Sequence, residues 1–84
     1  MPYIKAERRD GFDVHLDAMA VPENKGDLEY CLYKLLVKYM STREKNYSNL
    51  HDAVYAAAHV SDEFRRRYLD KREDVAQETN GDIV

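Results

Sequence analysis

Residues 49–75, NLHDAVYAAAHVSDEFRRRYLDKREDV, decide the fold. Within them Leu50, Val54, Ala57, Ser61, Phe64, Tyr68, Lys71 and Val75 recur at alternating steps of four and three. That is the period of a helix with one side set in an antiparallel or coiled seam. Asn49 suits an N-cap, with Asp52 three residues on, and Ala56, Ala57 and Ala58 leave room for a neighbouring helix to approach closely. No proline or glycine interrupts the run, so a long third helix is expected over about residues 49–78. It should fray through Gln77 and Thr79 towards a turn or C-cap at Asn80-Gly81.

Upstream, residues 41–48 read as a polar loop, and before it a second helix is expected over about 27–43, capped by Asn24 or Asp27. Leu28, Cys31, Leu32, Leu35, Leu36 and Tyr39 form one apolar stripe of that helix, while Tyr30, Tyr33 and Val37 form another on a different side. A helix apolar around most of its circumference must be covered on more than one side. Two partner helices in a chain of 84 residues leave one side over, so Tyr30, Tyr33 and Val37 are the expected oligomer interface. A short first helix over about 10–21 carries Phe12, Leu16, Met19 and Ala20 on one face, with Asp10 as N-cap and Pro22 as its stop. Pro2-Tyr3-Ile4-Lys5 and Asp82-Ile83-Val84 read as extended arms that have the option of pairing. The expected fold is therefore all-α: a single domain over 1–84, a compact three-helix bundle with a short helix 1, a central helix 2, a long helix 3 and extended N- and C-terminal arms.

A domain of this length buries only about 60 to 65% of the surface that its unfolded chain exposes. Small domains supplement so small a core with disulfides, metal or self-association. The single Cys31 forms no internal disulfide and no Cys/His set has zinc-finger spacing, which leaves self-association. With no secretory leader pattern and no apolar run near the roughly 18 residues that a membrane span needs, a soluble protein of a reducing, bacterial cytoplasm is expected. The formal charge of −3 argues against general nucleic-acid binding. Charge is uneven, however: residues 63–72 hold five cations and two anions, and residues 73–84 hold four anions and no cation.

Arg65-Arg66-Arg67 suggests a phosphate clamp, because guanidinium forks match phosphate oxygens in pairs. Successive helical residues lie about 100° apart, so Arg65 and Arg67 diverge and the three do not meet on one anion within a protomer. Arg66 or Arg67, joined by a basic or aromatic group from another protomer, remains able to do so. The plainer alternative is that Asp62 and Glu63 pair with Arg66 and Arg67 at i, i+4 spacing, each pair contributing about 0.2–0.5 kcal/mol. Tyr30 and Tyr68 would supply stacking rings to an anionic ligand, or else pack as amphipathic core residues. His59 and Glu63 lie one turn apart, but no third ligand completes a metal site. Cys31, inside an apolar stripe, reads as a buried small hydrophobe. The carboxylates Asp70, Glu73, Asp74 and Glu78 alternate with cations and read as salt-bridged surface. No residue set assembles a nucleophile, base and orienter. Neither a catalytic residue nor a cofactor or metal is assigned.

The chain as a whole resembles a family of small uncharacterised proteins encoded by tailed bacteriophages and bacteria. The resemblance rests on the opening Met-Pro-Tyr-Ile-Lys of residues 1–5, Gly26-Asp27-Leu28 with Tyr30, Glu63-Phe64 with Arg66-Arg67, Glu73-Asp74, and Asn80-Gly81-Asp82, with Asn46-Tyr47 a less specific match. It implies no activity. Glu29 stands where that family has asparagine, Arg65 where it has tyrosine, Lys71-Arg72 where it has Pro-Tyr, and Val84 where it ends in tyrosine. A site shared with it would involve Arg66 and Arg67 rather than Arg65 or Arg72. The reading favoured by the sequence is a non-enzymatic, self-associating helical interaction protein, phage-encoded, whose partners are copies of itself and an anionic small molecule or a host protein. The alternatives are an oligomeric sponge for an anionic nucleotide, using Arg66, Arg67, Tyr30 and Tyr68, and, more weakly, a metal-dependent all-α nucleotide hydrolase.

Overall fold

A computed structural model describes residues 2–83. The fold is all-α, with three helices and no strand among the described residues. They are α1 (Ala6–Ala18), α2 (Lys25–Met40), and a third helix made of α3 (Tyr47–Phe64), a π-helical turn (Arg65–Leu69) and α4 (Asp70–Asn80) laid end to end. The chain divides into two units, one of residues 2–53 and one beginning at Val54, so the boundary falls within α3.

In the first unit, α1 starts four residues before Asp10. Ala6, Glu7, Arg8 and Arg9 are good helix formers, and nothing before Asp10 breaks the backbone. The cap position falls on Lys5, extended at φ −60° and ψ 143° and without a side-chain cap. The Arg8 N–H donates to the Lys5 carbonyl at 3.0 Å, and the Arg9 Nε–H closes back onto the Ile4 carbonyl at 2.8 Å. The helix also ends before residue 21, since Met19 is already extended at ψ 142°. Proline disfavours helical geometry in the residue preceding it, and the chain has left the helix three residues ahead of Pro22.

The Asn24 Oδ1 caps α2 by accepting the Asp27 N–H at 2.8 Å, and Asp27 Oδ2 accepts the Glu23 N–H at 3.1 Å. This is a reciprocal arrangement of the capping-box kind. At the other end the helix stops at Met40 rather than Arg43. The Ser41 Oγ–H donates to the Lys38 carbonyl at 2.6 Å, and Arg43 donates to the Tyr39 carbonyl while its guanidinium lies 3.7 Å from the centre of the Tyr39 ring. Hydroxyl and cation thus satisfy carbonyls that a further turn of helix would otherwise have used.

The third helix begins two residues earlier than expected because the cap is Asn46. Its Oδ1 accepts the Asn49 N–H at 2.9 Å, leaving the Asn49 amide to donate to the Glu44 carbonyl. Two asparagines three residues apart offer the same cap chemistry, and the upstream one serves because Tyr47 and Ser48 are compatible with a first turn. Replacing Asn24 or Asn46 by alanine should each cost about 1 kcal/mol. In thermal melts followed by circular dichroism at fixed protein concentration, each change should lower the midpoint by about 4–8 °C. A shift within error of zero at Asn46 would reassign the cap.

Burial is sparse. Among the described residues only Met40 and Ala53 are buried, and Cys31 and Leu36 are half-buried. The expected seam of the third helix is not covered: Leu50, Val54, Phe64, Tyr68 and Val75 are exposed, and the buried position is Ala53, one residue off that stripe. A period of four and three specifies which residues share a side, not which side meets a neighbour. Cys31 is correspondingly only part-sheltered. No helix among the described residues is long and apolar enough to cross a membrane. Tyr3 and Ile4 in the N-terminal arm and Ile83 in the C-terminal arm are exposed. Gly81 ends α4 at φ 88°, a left-handed region that glycine enters without strain.

Candidate functional site

The π turn shapes the cationic segment. The backbone stays right-handed throughout, from Phe64 (φ −64°, ψ −42°) to Asp70 (φ −61°, ψ −37°), and the Asp70 N–H donates to the carbonyl of Arg65, five residues back. In this wider turn the axial neighbour of a residue shifts from the fourth to the fifth position. Arg66 and Lys71, five apart, then line one open depression together with Arg67 and Tyr68, of about 350 Å³. Arg65 is not among its lining residues.

Glu63, with a side chain only 18% exposed, organises the two arginines. Its Oε1 accepts from Nη2 of Arg66 and, at 2.9 Å, from Nε of Arg67, and its Oε2 accepts from Nε of Arg66 at 3.3 Å. The i, i+4 pair of Glu63 with Arg67 is as expected, whereas Arg66 turns to the same carboxylate at i, i+3 rather than to Asp62. Two of the three arginines thus converge on one carboxylate within a protomer. The Tyr68 ring, itself exposed, lies 4.7 Å centre to centre from that of Phe64.

A second feature belongs to the first unit. Leu16 and Met19 of the α1 end, Pro22, and Leu28, Tyr30, Cys31, Leu32, Leu35 and Val37 of α2 line an apolar groove of about 650 Å³, with Lys34, Lys38 and Ser41 among its lining residues. Tyr30 therefore lies in this groove, in a different unit from Arg66, Arg67 and Tyr68. Tyr30 and Tyr33 are about two-thirds exposed and Val37 about half.

The metal reading gains no geometry. The His59 ring faces Tyr55 at 6.0 Å and the His51 ring faces Tyr47 at 5.3 Å, while Glu63 is engaged by arginines. No group of three or more His, Cys, Asp or Glu able to hold a metal occurs among the described residues.

Sequence reasoning places neither Lys71 beside Arg66 nor Leu16 and Met19 in the groove. The i, i+5 relation of Arg66 to Lys71 is invisible to a 3.6-residue period. The apolar face of α1 did carry a signal, since Leu16 and Met19 share one side of it.

One protein family matches the chain over residues 1–83, described as a domain of unknown function (DUF6899). No curated protein and no solved structure matches it.

Proposed function

We propose, from the premise that this chain belongs to the DUF6899 family, that it is a non-enzymatic helical interaction protein whose copies associate through α2. The observation that carries this reading is the exposure of apolar side chains on both stripes of that helix: Leu28, Leu32, Leu35 and Tyr39 on one, Tyr30, Tyr33 and Val37 on the other. Single-chain proteins seldom leave a contiguous apolar surface of more than a few hundred Å² in water. The setting that fits is a bacterial cytoplasm, in keeping with one cysteine that has no internal partner.

The magnitudes say how far the interface must reach. A helix of 16 residues is roughly 24 Å long and 10 Å across, so one side of it offers roughly 400 Å². A stable interface takes about 800 Å² from each partner. The α2 side alone supplies half of that, and the groove continues onto Leu16 of α1 and Met19 just after it, which extends the same apolar surface. Sedimentation velocity on the full chain should find dimers or larger species at tens of micromolar protein, with a loading-dependent midpoint in thermal melts. A monomer across that range ends this reading.

A further inference from the structure

We propose that the π turn of the second unit binds the phosphate group of a small phosphorylated molecule, with Arg66, Arg67 and Lys71 on the phosphate oxygens and Tyr68 offering a ring face to the attached group. The site lies within a few residues of one helix and does not depend on the association of copies through α2.

Three observations support it together. The first is convergence: Arg66, Arg67 and Lys71 line one depression, whereas a regular helix would spread a run of cations around its circumference. The second is orientation. Glu63 accepts hydrogen bonds from Nε and Nη2 of Arg66 and from Nε of Arg67, which ties both guanidiniums to one carboxylate and holds them near each other, and guanidinium groups suit tetrahedral oxyanions. Arg66 and Arg67, which share the Glu63 carboxylate, together with Lys71 leave two positive charges over that one anion, the complement of a phosphate dianion. The third is the ring. Tyr68 lines the same depression and packs against Phe64, so it presents a supported aromatic surface of the sort on which nucleobases stack. A volume of about 350 Å³ is at the lower end of the roughly 300–1,000 Å³ range of small-molecule sites, suited to a phosphate with one attached group. π turns inside helices recur at functional sites, and here the turn is what brings position 71 under position 66.

The ligand favoured is a nucleoside monophosphate. A nucleic-acid strand is disfavoured by the four anions and absence of cations in residues 73–84, which would repel a continuing backbone. The test is a titration of the isotope-labelled full chain, followed by amide and arginine Nε resonances, with inorganic phosphate and with adenosine monophosphate at constant ionic strength and with chloride as reference. Saturable shifts centred on Arg66, Arg67 and Lys71 are expected, with phosphate half-saturating at about 1 mM and the nucleotide about tenfold lower. The Arg66→Ala, Arg67→Ala double variant should weaken both ligands at least about tenfold, and Tyr68→Ala should remove only the nucleotide's advantage. Arg65→Ala, outside the depression, should leave both within about twofold, and unchanged circular dichroism would confirm that these exposed positions leave the helix formed. Phosphate shifts no larger than those from chloride overturn the site. So does an Arg65→Ala variant as weak as the double variant, because the effect would then be diffuse helix charge. Equal affinity for phosphate and nucleotide overturns the role of Tyr68.

Discussion

Replacing Tyr30 and Val37 by glutamate is expected to abolish the proposed association through α2 and leave a monomer. Both side chains line the α2 groove and are exposed in the single chain, so glutamate there costs the isolated fold little and is an acceptable helix former. In an interface between identical copies each substitution occurs twice. Burying a side chain of this size contributes about 1.5–3 kcal/mol, so one position lost on both partners removes about 3–6 kcal/mol. At about 1.4 kcal/mol per tenfold, the association constant should fall by a hundredfold or more for either change alone, before the cost of burying a carboxylate is added. Sedimentation velocity reads this directly. Val54→Glu is the control: Val54 is as exposed as Tyr30 but sits on α3, outside the groove. If Val54→Glu dissociates the protein and the α2 changes do not, the meeting surface is the seam of the third helix.

The second large effect concerns what little is buried. Met40→Ala should cost about 2–3 kcal/mol, the low end for deleting a buried Met or Leu side chain, because a site beside open surface collapses more readily than one deep in a core. For a chain of this size that lowers the thermal midpoint by about 10–20 °C. Met19→Ala is the comparison, since Met19 is 44% exposed against 8% for Met40, and it should move the midpoint several-fold less. Both measurements belong at one protein concentration, as association feeds into apparent stability. A Met40→Ala midpoint within a degree or two of the parent would show that Met40 contributes little to the stability of the fold.

The helices were legible because their causes are local. Asn24 three residues before Asp27, the unbroken run from Tyr47 to Asn80, and the glycine at position 81 act within a turn or two of themselves, and capping and propensity operate over that range. The ends were less legible for the same reason. Ala6 and Asp10 both begin acceptable first turns, as do Tyr47 and the residue after Asn49, and only the hydrogen bonds made by Lys5, Asn46 and Asn49 separate them. Site legibility divides along the same line. Pairing of Glu63 with Arg67 follows from their spacing, and Arg66 and Arg67 line the depression while Arg65 does not. Arg66 with Lys71 does not follow, since a π turn depends on a backbone hydrogen-bond choice that no residue in Arg65–Leu69 dictates.

By itself, the sequence determined that this is an all-α chain, roughly where its helices run, and that α2 carries apolar side chains on two sides, because periodicity and caps are written in neighbouring residues. Only the tertiary structure decided which apolar side chains are sheltered: Met40 of α2 and Ala53 of α3 are, and Tyr30, Tyr33 and Val37 are not. It also decided that Arg66, Arg67, Tyr68 and Lys71 share one depression. Burial and convergence depend on the paths that separated stretches of backbone take through space, and a repeat of three and four leaves those paths open.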